Sequence, residues 1–88
     1  MRDYRILLEA RNEGLSYTDA SGVYRFNLSR HGKTWLVHLP PTKGDAFATH
    51  PLSVHEQERL FPRISKFLSR IWWLGIWPVN YEVEFDGQ

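Results

Sequence analysis

Four short segments in the first half of the chain alternate apolar and polar residues, and turn-forming residues separate each from the next. Between Asp3 and Arg11, Tyr4, Ile6, Leu8 and Ala10 fall on one side and Asp3, Arg5, Glu9 and Arg11 on the other. Leu7 breaks the pattern. A period of two sends successive side chains to opposite faces of a strand, so this segment reads as β. Leu15 to Thr18 gives a short second strand. Val23 to Arg30 gives a third, with Tyr24, Phe26 and Leu28 inward against Arg25, Asn27 and Ser29. Thr34 to Leu39 gives a fourth, with Trp35, Val37 and Leu39 inward. Asn12-Glu13-Gly14, Asp19-Ala20-Ser21-Gly22 and His31-Gly32-Lys33 supply the turns, and Gly32 is free to take a positive φ in a tight hairpin.

Pro40-Pro41 is expected to stop this ladder, because proline has no amide to donate. Residues 40–53 then show neither period. They read as a crossover from the sheet edge to a helix, pinned by Phe47 and Leu52, or as a long functional loop. Ser53-Val54-His55-Glu56 is a capping box, with Ser53 at the N-cap and Glu56 three residues on. Beyond it Leu60, Phe61, Ile64, Phe67, Leu68, Ile71 and Trp72 recur at steps of three and four, the apolar stripe of one helix. Pro62 interrupts the stripe, so either a kink or two pieces, 54–60 and 62–73, is expected. Gly75 and Pro78 end the helix. Asn80 to Phe85 alternates again as a last strand.

The expected fold is α+β, one domain over residues 1–88 in the order β-β-β-β-α-β. It has two layers: a mostly antiparallel sheet with one long helix packed on one face. The inner sheet face holds Tyr17, Tyr24, Phe26, Trp35, Tyr81 and Phe85. The outer face holds Arg5, Glu9, Arg11, Ser16, Thr18, Arg25, Asn27, Ser29, Thr34, His38, Glu82 and Glu84. Rings on the inner face argue against a base-stacking platform for single-stranded nucleic acid, which needs them on the open one.

The tail of the apolar stripe is the least average stretch of the chain. Residues 71–78 read Ile-Trp-Trp-Leu-Gly-Ile-Trp-Pro and carry three of the four tryptophans. Five strands make a sheet roughly 20 Å wide, while one helix with its side chains is about 10–12 Å across. The Trp block is therefore expected either to complete the lid over the sheet or to meet a second subunit. Trp72, Trp73, Trp77 and Phe47 form the candidate interaction surface, with another protein or a homodimer as partner. The block is too short and too broken by Gly75 and Pro78 to cross a membrane or lie along one.

Composition narrows the function classes. With 11 basic and 10 acidic residues the net charge is near zero, which disfavours nucleic acid as a partner. The absence of cysteine excludes disulfides and thiolate zinc sites. The short run Ile6-Leu7-Leu8 does not make a secretory leader, so a cytoplasmic protein without a membrane partner is expected. Arg59, Arg63, Lys66 and Arg70 recur at steps of four, three and four. They read as a basic stripe for a nucleic acid or anionic ligand, or as a solvated face whose stems cover apolar neighbours. Among the four histidines only His50 and His55 lie close enough to Glu56 in the chain to converge with it, and no zinc-binding spacing occurs. No nucleophile motif or phosphate loop occurs either: Gly32-Lys33-Thr34 lacks the preceding glycines of a P-loop. The expectation is a non-catalytic binding domain without cofactor. An enzyme with a site in the 40–53 loop, using His50 or His55, is the remaining alternative.

Overall fold

The computed structural model describes residues 3–9, 13–44, 48–73 and 77–87, with residues 70–73 and 77–79 described by their backbone alone. Strands β1 (Tyr4–Glu9), β2 (Gly14–Asp19), β3 (Gly22–His31) and β4 (Thr34–Lys43) form an antiparallel meander. Helix α1 (Val54–Ser69) follows, then β5 (Arg70–Trp73), β6 (Trp77–Asn80) and β7 (Glu82–Gly87). β7 lies beside β4 and parallel to it, so the five-stranded sheet is mixed, in the order β1-β2-β3-β4-β7. The crossover from β4 through α1 to β7 is what makes a parallel neighbour possible, since parallel strands need a long connection.

The alternation in the sequence sets the faces correctly. Paired residues share a face, and the register brings Ile6 opposite Tyr17, Leu15 opposite Phe26, Tyr17 opposite Tyr24 and Leu28 opposite Val37. All of these side chains are buried, as is Trp35. Leu60, Ile64 and Leu68 of α1 complete the core, and Phe61 stacks on Phe85 of β7 with centroids 3.9 Å apart. Most inner-face residues of β1 to β4 are thus buried within one chain, and Tyr4, Leu8 and Leu39 pack against them partly buried.

Three expectations about the second half are corrected. First, Pro40-Pro41 does not end β4. Between the pairs Asn27–His38 and Arg25–Thr42 the ladder skips, so that Leu39, Pro40 and Pro41 together lie opposite Phe26 alone. The prolines sit where the strand bulges away from its partner and no amide is required, and pairing resumes beyond them. Residues 40–53 are accordingly not one long loop. Residues 40–43 are strand, Thr42 bridges Thr49, and the His50 amide donates to the Pro41 carbonyl at 2.7 Å.

Second, α1 ends at Ser69, four residues before the expected end, and it is one helix with Pro62 inside it. Residues 70–73 are extended and pair with residues 77–80 as a separate two-stranded sheet. Ile71, Trp72 and Trp73 are β-branched or aromatic residues that favour the pleated state. Third, the last strand begins at Glu82 rather than Asn80, because Asn80 belongs to β6. The hairpin is closed at its base by the Tyr81 amide, which donates to the Ser69 carbonyl at 2.6 Å.

Candidate functional site

The described polar side chains concentrate where the first half of α1 crosses the β2–β3 hairpin. Period two puts Tyr17 and Asp19 on the inner face, and the register sets Tyr24 opposite Tyr17 and Gly22 opposite Asp19. Gly22 has φ of 129°, which lets the chain reverse there. Asp19 caps this turn, accepting from the Ser21 amide at 2.8 Å and the Ser21 hydroxyl at 2.6 Å. From the other layer, Glu56, Arg59 and Arg63 follow one another at steps of three and four, so all three look down the same flank of the helix.

The two layers meet through hydrogen bonds. Arg59 Nε donates to Asp19 Oδ2 at 3.0 Å, and its terminal nitrogen donates to Ser21 Oγ at 3.0 Å and Tyr24 Oη at 3.2 Å. Tyr17 Oη donates to Asp19 Oδ2 at 2.8 Å and accepts from Arg63 at 2.7 Å. Tyr24 Oη donates to Glu56 Oε2 at 2.6 Å. The His50 ring lies 2.9 Å from the same oxygen, and the Lys43 ammonium 3.9 Å from it. The capping box read from the sequence is present: the Ser53 amide donates to Glu56 Oε1 at 3.0 Å, and the Glu56 amide to Ser53 Oγ at 3.1 Å. Arg63 also lies over the Tyr4 ring, 4.5 Å from its centroid, and Tyr4 stacks on Tyr17.

This arrangement fixes the charge state of both carboxyls. Burial opposes ionisation of Asp19, but donors from Ser21, Tyr17 and Arg59 outweigh it and hold its pKa down at about 2. Burial likewise opposes ionisation of Glu56, and the Ser53 amide, Tyr24 and His50 bring it to about 2 as well. Burial and the neighbouring Asp19 raise the Tyr17 phenol, with Arg63 opposing. The Arg59 guanidinium is raised by Asp19 despite its partial burial.

A carboxylate with so low a pKa is a weak base at neutral pH, and the lone pairs of both are occupied by donors of the same chain. The cluster's chemistry is that of a clasp between helix and sheet. Beside it an open depression of about 350 Å³ is lined by Asp3, Tyr4, Arg5, Thr18 and Asp19.

The residues singled out from the sequence are distributed as follows. Arg59 and Arg63 of the basic stripe turn into the cluster, Lys66 is exposed, and the Arg70 side chain lies outside the described residues. Trp72, Trp73 and Trp77 occupy β5 and β6, where the register sets Trp73 opposite Trp77 and Trp72 opposite Pro78. Their side chains, and all of Phe47, lie outside the described residues. His50 and Glu56 converge, whereas His55 is exposed. His38 meets Ser29 on the outer face at 2.6 Å. Among the described residues no group of three or more His, Asp or Glu is arranged to hold a metal ion.

The sequence reading missed Tyr17, Asp19, Ser21, Tyr24 and Lys43 as members of one group. One signal was present: the inner-face positions 17 and 24 carry tyrosine rather than phenylalanine, and a buried phenol needs a partner.

Fold and cluster define a two-layer α+β domain built on a mixed five-stranded sheet. Compared with protein-family models, curated proteins and solved structures, the chain has no match in any of the three. Among the described residues no helix is long and apolar enough to cross a membrane.

Proposed function

We propose that residues 1–88 form one non-catalytic, cytoplasmic binding domain that contacts another protein, or a second copy of itself, through the β5–β6 hairpin. The supporting observation is that Arg70–Trp73 and Trp77–Asn80 pair as a sheet of their own, outside the five-stranded ladder, with Trp73 opposite Trp77. Tryptophan is enriched at the centres of contact surfaces, where a large rigid ring contributes most for the least lost freedom. Trp72 and Phe47 belong to the same proposed surface, and no cofactor takes part.

Two other readings have less support. A phosphate backbone or other anion on Arg59, Arg63, Lys66 and Arg70 would compete with Asp19 and Tyr17 for the first two of those arginines. An enzyme using His50 would have only the Nδ1 nitrogen to offer, since Nε2 is engaged by Glu56.

Iodide quenching tests the proposal. Trp35 is 2% exposed and resists the quencher, so the rest of the emission reports the hairpin. Most emission is expected to be quenched, and Trp73→Ser with Trp77→Ser is expected to remove most of the quenched part, leaving that of Trp72, while keeping a cooperative melt. Emission that resists iodide, or a double variant that fails to fold, would place these rings in the core and remove the reading.

A further inference from the structure

The two edges of the five-stranded sheet differ in how they would meet another strand. An edge strand offers unpaired amides and carbonyls along its whole length, and proteins commonly block it with charge. On β7, Glu82, Glu84 and Asp86 alternate along the outer face and all are exposed. A copy of β7 laid antiparallel beside it would oppose carboxylate to carboxylate in every register that keeps the faces matched. That edge repels itself.

β1, the other edge, is built differently. Its outer face presents Arg5, Leu7 and Glu9, all exposed, and Leu7, at 48%, is one of two exposed large hydrophobics among the described residues. Leu7 is also the residue that broke the alternation in the sequence. We infer that β1 pairs antiparallel with β1 of a second copy about a two-fold axis through Leu7.

In that register Leu7 meets Leu7, Arg5 meets Glu9 of the other copy, and Glu9 meets Arg5. On the inner face Ile6 meets Leu8 and Leu8 meets Ile6. Moving the axis to Ile6 or Leu8 sets a charged residue opposite Leu7 and leaves both ion pairs unmade, so the charges select one register. The axis runs perpendicular to the sheet. Two sheets of five strands become one of ten, with both helices on the same side. The contact covers a six-residue strand, so the dimer is expected to be weak and visible only at high chain concentration. The inference does not use the β5–β6 hairpin and stands or falls separately from the reading above.

Analytical ultracentrifugation over a range reaching millimolar chain tests it. Wild type is expected to pass from monomer to dimer, and Leu7→Lys to stay monomeric. Arg5→Glu and Glu9→Arg, each placing like charges opposite one another at two positions per dimer, are expected to weaken the dimer about tenfold or more. Combining the two reversals restores opposite charges and is expected to return the affinity to near that of wild type. These three side chains are exposed, so circular dichroism and melting temperature should stay near wild type and serve as fold controls. A wild type that remains monomeric throughout overturns the inference. So does a dimer indifferent to either single reversal, or one that the double reversal fails to restore.

Discussion

Helix α1 is held along two flanks by different physics. On one flank Leu60, Ile64 and Leu68 are fully buried and Phe61 stacks on Phe85, a contact made of area and fit. On the other, Glu56, Arg59 and Arg63 reach the sheet through charge-assisted hydrogen bonds to Tyr17, Asp19, Ser21 and Tyr24. The apolar flank is non-directional and indifferent to pH. The polar flank is directional and depends on two ionised carboxyls. The first therefore sets most of the stability, and the second sets how the helix sits on the sheet.

Each flank can be broken separately. The largest loss is expected from Ile64→Ala or Leu60→Ala, about 2–5 kcal/mol each in denaturant unfolding, with no change in the cost between neutral and acid pH. Glu56→Ala removes the carboxylate half of the capping box and leaves Tyr24 and His50 without their shared acceptor, and is expected to cost about 2 kcal/mol at neutral pH.

That cost should shrink in acid. Asp19 and Glu56 have folded pKa values of about 2, below their ordinary 3.8 and 4.5. A carboxyl depressed in the folded state stabilises above its unfolded pKa and loses that contribution as pH falls toward the folded one. Wild type is therefore expected to lose stability from pH about 4.5 down to about 2. Asp19→Asn with Glu56→Gln should flatten that slope while lowering the plateau. Arg59→Met, which keeps the stem and removes the guanidinium, is expected to cost about 1–2 kcal/mol, because Asp19 loses a charged donor. Lys66→Ala, on the exposed side, is expected to change stability by less than about 0.5 kcal/mol.

The two flanks were not equally legible in the sequence. The apolar flank was, because a step of three and four needs only one segment to be read. So were the strand faces of the meander, where Tyr24, Phe26 and Leu28 alternate with polar residues, and the capping box at Ser53. The end of the helix was not, since Ile71 and Trp72 continue the helical step as well as they suit a strand. What decides there is pairing of residues 70–73 with 77–80, which a local pattern does not contain. The prolines of β4 misled for the same reason: whether a missing amide ends a strand depends on whether the strand bulges away from its partner there.

The polar flank was the least legible. Arg59 and Arg63 form a stripe with Lys66 and Arg70 in the sequence, and only the sheet, 40 and 46 residues away in the chain, divides the stripe into clasp and surface. Asp19 and Ser21 read simply as turn residues, which they also are.

That the polar cluster is a clasp and not a catalytic site is most directly tested by following the side-chain carboxyl carbons of Asp19 and Glu56 by NMR as a function of pH. Both are expected to titrate with midpoints near 2. A midpoint at or above the ordinary 3.8 for Asp19 or 4.5 for Glu56 would contradict the account. It would leave an unclaimed base beside Tyr24 and His50, where chemistry could occur.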